Sequence, residues 1–318
     1  MIRTVDLRKS YGSFVAVAGI NLNIQPGEIY GFLGPNGAGK TSTIMMLLGI
    51  TRPTSGEIYL FNERYTPARL DLRRRIGVVP EKHPQGVWSW MTAVEYLRLF
   101  AGIFRVERPE MRISFLLEQV GLDGVRNKRM KEFSRGMMQK LSIIRSLLPD
   151  PDLLFLDEPI SGLDPLGIKQ IRDLILSENR DGRTIFISSH LLSEMEKICR
   201  RVAIIYRGRL MAEDHMGALL SRLTKDREVT IELDAIPEGL AGRLRAQLPF
   251  VLESRAEGNI LSIRIPKEGD FRRRISEYLI KQDQVPLRIQ EKTVTLEDAF
   301  VTITGENIDM LTRDQDSI

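Results

Sequence analysis

The sequence predicts an α/β fold: a mixed, mostly parallel sheet with an antiparallel β layer at its side, an inserted helical subdomain and a small C-terminal α+β domain. Short β-rich runs alternate with helical stretches over the first 220 residues, as expected for parallel strands joined by crossover helices. A block of helical pattern interrupts that alternation, and the pattern changes again after about residue 225. These three observations together predict the fold class.

The strands of the main sheet are predicted from apolar, β-rich runs. In chain order these runs are "EIYGFLG", "RIGVVP", "DLLFLDEP", "TIFISSH" and "RVAIIYRGRL". The two earlier runs "IRTVDLRKSY" and "GINLNIQPGE" are predicted to form the antiparallel layer beside this sheet. The main domain is expected to span residues 1–220.

The helical subdomain is predicted for about residues 85–150, because apolar residues recur three to four apart in "AVEYLRLFAGIF", "MRISFLLEQVGL" and "MQKLSIIRSLL". Residues 226–305 are expected to form the small α+β domain, with strands at "VTIEL", "ILSIRI" and "VPLRIQ". Its helices are expected near "FRRRISEYLIKQ" and from "TLEDAFVTITG". Residues 306–318 are polar and are expected to form a flexible tail.

The composition fits two domains of opposite charge. The 318 residues are 42% hydrophobic and carry 46 basic and 42 acidic side chains, a net charge of +4. Up to residue 225 there are 33 basic and 24 acidic residues, and from Asp226 onward there are 13 and 18. A basic domain suits nucleotide phosphates, nucleic acid or an anionic membrane face, and charge alone does not choose among them.

The single cysteine, Cys199, excludes an internal disulfide framework. Its position between a predicted helix and a predicted strand indicates a buried structural thiol. The N-terminus has no signal-peptide pattern, and no apolar run approaches the roughly 18 residues that a membrane span requires. We therefore expect a cytosolic chain, which could sit on a membrane through a partner.

A phosphate-binding loop is predicted from "GPNGAGKTS", which follows a predicted strand and opens a predicted helix. Its glycines let backbone NH groups turn toward phosphate oxygens at the positive end of the helix. Lys40 is then expected to reach the β and γ phosphates, and Thr41 to offer its hydroxyl to Mg²⁺. The candidate binding residues are Gly34, Asn36, Gly37, Gly39, Lys40, Thr41 and Ser42.

Two carboxylates and a histidine follow strands of the same predicted sheet. Asp157 ends the run "LLFLD" and is expected to hold Mg²⁺, directly or through water. Glu158, which would point the other way off a strand, is placed to orient or deprotonate a water molecule. His190 closes "TIFISSH" at the edge where ligands bind in open parallel sheets, and we expect it to contact the γ-phosphate. His83 and His215 are expected to serve solubility or packing.

Taken together, these motifs resemble the ATP-binding subunit of an ABC transporter, a P-loop NTPase, over residues 1 to about 220. The resemblance extends to the branch that serves drug, cation and polysaccharide exporters. It implies that two ATP molecules, with Mg²⁺, lie between two ATPase subunits, either as a homodimer or as a pseudo-dimer with a second ATPase subunit. It also implies hydrolysis coupled to export through a separate transmembrane permease. The subunit would be cytoplasmic and peripheral on the inner face of the cell membrane, with no nucleic-acid partner.

In that family the phosphate loop of one subunit faces a signature turn of the other, typically Leu-Ser-Gly-Gly-Gln. The segment "FSRGM" stands at this position, about 20 residues before the acidic pair. Ser134 keeps the hydroxyl and Gly136 keeps the second flexible NH, so two phosphate donors are retained. Arg135 replaces the first glycine and loses its backbone freedom. It could add positive potential beside the γ-phosphate of the other subunit, or it could weaken the turn.

Three further positions match family residues. Tyr11 matches the aromatic residue that stacks on adenine, and a buried strand-end tyrosine is the alternative. Asp164 matches the residue that couples the two sites across the dimer. Glu81 stands where the family usually carries a glutamine that senses Mg²⁺ and the membrane subunit, and Gln85 is the alternative.

Two segments suggest partners. "GVWSWMTAVEYL" stands where the family docks a cytoplasmic helix of its membrane subunit, and its tryptophans and methionine suit either an interface or the core. The ending "TLEDAFVTITGE" resembles the C-terminal extension of the exporter branch, which is implied to regulate or dimerise the ATPase, with a purely structural appendage as the alternative. The competing function is a soluble ATPase of similar core that acts on ribosomes or DNA. A nucleotide-binding scaffold without turnover is a third.

Overall fold

The computed structural model describes residues 1–81, 88–223, 226–292 and 294–313. These residues form two compact units, one comprising Met1–Met216 with the chain from Ile303 onward, and the other comprising Gly217–Thr302. Within the described ranges, no helix combines the length and the apolar character needed to cross a membrane.

The first unit contains the longest run of strands and helices. Its strands are β1 (Ile2–Tyr11), β2 (Phe14–Ile20), β3 (Asn23–Ile24), β4 (Ile29–Leu33), β5 (Ser55–Leu60), β6 (Glu63–Arg64), β7 (Ile76–Val79), β8 (Leu153–Asp157), β9 (Thr184–Ser189), β10 (Arg201–Tyr206) and β11 (Arg209–His215). Its helices are α1 (Lys40–Leu47), α2 (Leu70–Arg73), α3 (Ala93–Phe104), α4 (Pro109–Gln119), α5 (Arg135–Leu147), α6 (Pro165–Arg180) and α7 (Leu192–Ile198). Short 3-10 turns at Asp123–Val125 and Met130–Glu132 precede α5.

The main sheet has the strand order β11-β10-β4-β9-β8-β7. All neighbours are parallel except β10 and β11, which pair antiparallel. Every residue of β4, β8 and β9 is buried, because both faces of these strands are covered. Such strands carry continuous apolar runs rather than alternating ones. The predicted parallel sheet is therefore confirmed.

The antiparallel layer has the order β2-β1-β5-β6. The short strand β3 pairs with the first residues of β1, and β2 pairs with the last ones. Its apolar side packs against the main sheet, so that Ile2 and Leu7 of β1 share one core with Phe32, Phe155 and Phe186. The ring of Phe186 contacts those of Phe32 and Phe155, with centroids 5.4 and 5.3 Å away. This layer was also predicted from the sequence.

The inserted helical subdomain consists of α3, α4 and α5 and lies between β7 and β8 in the chain. Thr92 and Glu95 begin α3 with a reciprocal cap: the Thr92 hydroxyl accepts from the Glu95 NH, and the Glu95 carboxylate accepts from the Thr92 NH. The apolar face of α5 is buried at residues such as Leu141 and Ile144. The helical insertion is thus part of the confirmed fold.

The second unit has a ferredoxin-like order of elements, β-α-β-β-α-β. Its elements, with the helices that flank them, are α8 (Met216–Leu223), β12 (Asp226–Glu232), α9 (Leu240–Gln247), β13 (Glu253–Glu257), β14 (Ile260–Pro266), α10 (Arg272–Lys281), β15 (Arg288–Lys292) and α11 (Leu296–Arg313). The strand order is β13-β14-β12-β15, all antiparallel. Val229, Ile231 and Ile263 from the strands share a core with Ile275 and Leu279 of α10.

The last helix passes the point where the sequence analysis expected a flexible tail. That tail was expected from residue 306, whereas α11 continues to Arg313. Residues 314–318 lie outside the described part of the chain.

Candidate active site

A cavity of about 490 Å³ lies at the carboxyl ends of the parallel strands β4, β8 and β9. This is the edge where ligands bind in open α/β sheets. The cavity gathers residues that are far apart in the chain. Its lining consists of Phe14, Ala16, Pro35, Asn36, Gly37, Gly39, Lys40, Thr41, Ser42, Glu81, Asp157, Glu158, Ser161 and His190.

The loop between β4 and α1 has the geometry of a phosphate cradle. Gly39 directly precedes α1 with φ 107°, and a Cβ there would lie 2.5 Å from the carbonyl oxygen of Ala16, so only glycine fits. Gly34 lies behind the loop, and the ammonium of Lys40 donates to its carbonyl oxygen over 2.6 Å. Gly39 and the first residues of α1 line the cavity, and the unpaired NH groups at a helix start attract phosphate oxygens.

Lys40 also reaches the acidic pair. Its Nζ lies 3.4 Å from Oε1 of Glu158, and both side chains are 7% exposed. The other carboxylate oxygen, Oε2, lies 2.8 Å from Nδ1 of His190 and accepts from the His190 backbone NH and the Ser189 hydroxyl. Oε1 accepts no hydrogen bond from any described residue. One oxygen of Glu158 is therefore held by His190 and Ser189, and the other is buried beside the ammonium of Lys40.

Glu158 does not point away from Asp157 as strand alternation suggested. Strand β8 ends at Asp157, and Glu158 adopts φ 50°, a left-handed conformation that non-glycine residues rarely take. Its backbone NH is held by the carbonyl and hydroxyl oxygens of Ser188. Because the chain leaves the strand at this residue, both carboxylates line the same cavity. A left-handed non-glycine residue at a polar cleft is typical of functional sites.

Asp157 has the environment of a cation ligand. Burial raises the pKa of its carboxyl, and the negative charges of Glu81 and Glu158 raise it further, against the hydroxyl of Ser188 and the charge of Lys40. The Ser188 hydroxyl donates to Oδ1. A buried carboxylate with two acidic neighbours is relieved by a cation. Magnesium ions bind through one or two carboxylates with hydroxyls, water and substrate phosphates, so Asp157, Thr41 and Glu81 fit Mg²⁺.

The sequence analysis missed several residues of this site. Phe14, 64% exposed, lines the cavity, whereas the predicted adenine-binding residue Tyr11 is 49% exposed and does not line it among the described residues. The two aromatic residues are paired across the β1–β2 hairpin, so they project on the same face. Ser161 lines the cavity, and Ser188 bonds Asp157. Phe14 belongs to β2, whose Ala16 lies against Gly39 of the loop before α1, whereas Tyr11 ends β1, and no local sequence pattern indicates which strand lies nearer the loop.

Besides Tyr11 and Gly34, three predicted residues lie outside this cavity, at the starts of α5 and α6. The Ser134 hydroxyl accepts from the Met137 NH at the start of α5, and Gly136 lies in the first turn. The Asp164 carboxylate accepts from the Gly167 NH at the start of α6. The cavity of one chain therefore contains the phosphate loop, the acidic pair and His190 but not the signature turn.

Comparisons with known proteins agree with this geometry. Residues 17–161 match the family described as ABC transporter. The bacitracin transport ATP-binding protein BcrA of Bacillus licheniformis is 47% identical over 220 residues, which cover 68% of this chain and 71% of BcrA. The Nod factor export ATP-binding protein I of Paraburkholderia xenovorans is 33% identical over 307 residues, an alignment that covers 95% of this chain and 96% of that protein. The chain belongs to the ATP-binding subunits of ABC transporters.

A solved ATP-binding cassette resembles this ABC ATPase subunit in three dimensions. It is a dimer in a post-hydrolysis state with bound ADP and Pi, and it matches with a TM-score of 0.61 at 25% identity, covering 68% of this chain and 99% of the cassette. The ABC ATPase subunit therefore binds and hydrolyses ATP, and it works with a second ATP-binding subunit and a membrane partner. The alternatives, a ribosome- or DNA-directed ATPase and a scaffold without turnover, gain no support from these relatives.

The segment predicted to dock the membrane subunit is described only from residue 88 onward. Gln85 and His83 lie outside the described residues. Of the two tryptophans, Trp88 packs edge-on against Tyr96 and Phe100, with ring centroids 6.5 and 6.4 Å away, whereas Trp90 is 64% exposed. Trp88 thus packs with other aromatic rings, as expected of a core residue, and Trp90 lies at the surface, as expected of an interface residue.

Proposed function

We propose that this ABC ATPase subunit powers the export of a substrate through a separate transmembrane permease. Two ATPase subunits, identical or paired as a pseudo-dimer, would close around two ATP molecules. The relatives named for bacitracin transport and Nod factor export support export as the direction. The subunit would lie peripherally on the inner, cytoplasmic face of the cell membrane and would bind no nucleic acid.

The observation that carries this proposal is the composition of the cavity. The residues that we propose for phosphate binding, metal binding and water activation line it, but Ser134 and Gly136 of the proposed signature turn do not. A single chain therefore offers an incomplete site. A second subunit that presents its own α5 to the cavity would complete it, because the free NH groups at that helix start are suited to a phosphate.

In the proposed reaction, the loop before α1 and Lys40 hold the β and γ phosphates. Mg²⁺ would be held by Thr41 and Asp157 with Glu81 nearby, and when bound it would neutralise charge on the phosphate oxygens. Glu158 takes a proton from water as the water oxygen attacks the γ-phosphorus, and the bond to the ADP oxygen breaks. His190 holds Glu158 by Oε2 and faces the cavity from the neighbouring strand. Positioning and electrostatics, rather than covalent chemistry, supply most of the rate.

The docking of the permease would use the region around Trp90. The exposed indole lies just before α3, and exposed aromatic residues are favoured anchors in protein interfaces. The basic run at residues 69–75 is better explained as a solvated face, because Arg69 pairs with Glu63 and Asp71, and Arg75 pairs with Asp152. The C-terminal unit, which has its own core, would regulate the ATPase or strengthen its dimer.

A complementation experiment tests the composite site. Lys40→Ala disables the cavity of a chain, and Gly136→Glu disables its signature turn by placing a negative charge where a phosphate binds. Gly136 tolerates a side chain within its own chain, since nothing lies within 4 Å of a Cβ built there. Gly102→Glu, at another open helical glycine, is the matched control and should leave turnover unchanged.

Each disabled variant alone should lack ATPase activity, while a mixture of the two should regain part of it. The mixed dimer joins the intact cavity of the Gly136→Glu chain to the intact turn of the Lys40→Ala chain. Wild-type activity per chain should also rise with protein concentration. Flat activity per chain, together with no recovery at any mixing ratio, would show that the sites are not shared between subunits.

A further inference from the structure

The arginine of the signature turn packs against the loop that follows the acidic pair in its own chain. A Cβ built on Gly162 would lie 2.3, 2.4 and 2.7 Å from Nη1, Cζ and Nη2 of Arg135. These three nearly equal distances place the whole guanidinium across the α-carbon of Gly162. Arg135 forms no ion pair with any described residue, so this contact is packing and not charge pairing.

The loop that Arg135 contacts connects the acidic pair in the cavity to the start of α6. It leaves the cavity at Glu158 and reaches Asp164, which caps α6. Within it, the NH of Ser161 donates to the carbonyl of Glu158 over 3.2 Å, and Ser161 lines the cavity. Gly162 has φ 67°, so a glycine is required both by the backbone and by the guanidinium above it.

We propose that Arg135 is a positioning residue, which fixes the loop 158–164 to the start of α5 and thereby couples the two ATP sites of the dimer. The inference rests on the proposed function, in which the start of α5 faces the nucleotide of the partner subunit. When that nucleotide draws α5 into place, Arg135 carries the movement to Gly162. The loop then sets Ser161 and Glu158 in the chain's own cavity.

The contact depends on the shape of arginine and not only on its charge. A guanidinium is flat and covers an α-carbon closely, whereas the ammonium of lysine is compact and strongly hydrated. If Arg135 served only as a positive charge beside the partner's phosphate, a lysine at this position would perform the same role. The two roles therefore predict different behaviour for Arg135→Lys.

The test measures ATP hydrolysis by the full chain as a function of ATP concentration for Arg135→Ala, Arg135→Lys and Gly162→Ala, giving kcat, KM and the Hill coefficient. Gly121→Ala is the matched control, since Gly121 has φ 68° and nothing lies within 4 Å of a Cβ built there. Gly121→Ala shows the effect of the backbone conformation alone. Melting temperatures identify any variant that is merely unfolded.

We expect Arg135→Ala to lower kcat at least fivefold, the lower end of typical coupling between sites, and to bring the Hill coefficient close to 1 with little change in KM. Arg135→Lys should not restore either value, and Gly162→Ala should lose more activity than Gly121→Ala. In the double variant Arg135→Ala/Gly162→Ala, the second change should add no more than Gly121→Ala does, because the clash is gone.

Two outcomes overturn the proposal. Full activity and an unchanged Hill coefficient in Arg135→Lys would assign Arg135 to charge alone, and equal effects of Gly162→Ala and Gly121→Ala would show that the contact has no function. Failure of the proposed function looks different. In that case the wild-type chain itself would show a Hill coefficient of 1 and an activity per chain that does not depend on concentration.

Discussion

His190 holds one oxygen of Glu158 from two sides. Its Nδ1 lies 2.8 Å from Oε2, and its backbone NH donates to the same atom over 3.3 Å. The histidine follows β9 and the acid follows β8, two adjacent parallel strands. This arrangement fixes the direction of the carboxylate before any substrate binds, and it leaves Oε1 toward Lys40 and the cavity.

Glu158→Gln should lower steady-state ATP hydrolysis by about 100- to 10,000-fold, the usual contribution of a positioned acid or base. Glutamine keeps the shape of the side chain but cannot accept a proton from water. Binding of ATP should persist, since the phosphate loop is unchanged. Phosphate release and nucleotide binding, measured on the same preparation, check this expectation.

A second buried acid provides the control for that substitution. Glu178 of α6 is 3% exposed and pairs with Arg183, which follows that helix. Neither residue lines the cavity. Glu178→Gln should leave turnover of the folded protein within about twofold of wild type, because Glu178 does not line the cavity, while the loss of a buried pair should lower the melting temperature. Turnover within tenfold of wild type in Glu158→Gln would mean that another group activates the water.

His190→Ala should lower kcat by about 100-fold, comparable to the loss of one preorganised donor, because Glu158 loses its support at Oε2 and the γ-phosphate loses a neighbour. KM for ATP should change less than kcat. His215→Ala is the matched histidine control, since His215 is exposed at the end of β11. Equal kinetics for the two variants would remove His190 from the mechanism.

Phe14→Ala should raise KM for ATP by about tenfold, since stacking of a base on an aromatic ring contributes about 1–3 kcal/mol. Tyr11→Ala should raise it less, if the cavity is lined as the structure shows. Phe115→Ala, at a ring 57% exposed on α4, is the control and should leave KM unchanged. A larger effect at Tyr11 than at Phe14 would assign the stacking on adenine to Tyr11, as expected from the sequence.

The fold and the grouping of most candidate site residues at one cavity could be predicted because their signals are local. The phosphate loop needs glycines, a lysine and a hydroxyl within nine consecutive residues, between a strand and a helix. Strands β8 and β9 end in polar residues that meet because parallel strands share a carboxyl edge. The helical insertion was predicted from apolar residues spaced three to four apart, which is also a local signal.

The details that escaped prediction depend on contacts across the chain. Whether Tyr11 or Phe14 reaches the cavity depends on which strand of the hairpin lies nearer the phosphate loop, and it is β2, whose Ala16 lies against Gly39. The direction of Glu158 follows from a left-handed φ that strand alternation does not foresee. The contact between Arg135 and Gly162 joins residues from two different elements, so no spacing in the sequence could indicate it.

Cys199 should resist thiol reagents in the native protein. It is buried, and burial raises the pKa of its thiol well above the usual range, so the reactive thiolate is scarce at neutral pH. Labelling with a chromogenic disulfide should reach one thiol per chain only after denaturation. Thr66→Cys, at an exposed turn, supplies a positive control, and fast labelling of native wild type would contradict the expectation.

Glu81→Gln should raise the Mg²⁺ concentration needed for half-maximal hydrolysis by about tenfold, the scale on which residues near a metal adjust its affinity. Glu81 lines the cavity, and its charge contributes to the raised pKa of Asp157, so removing that charge weakens the attraction for a cation. Gln85→Ala, titrated in the same way, tests the other candidate. A shift in Gln85→Ala and none in Glu81→Gln would assign the sensing of Mg²⁺ to Gln85, whereas the reverse would explain why a carboxylate replaces the usual glutamine.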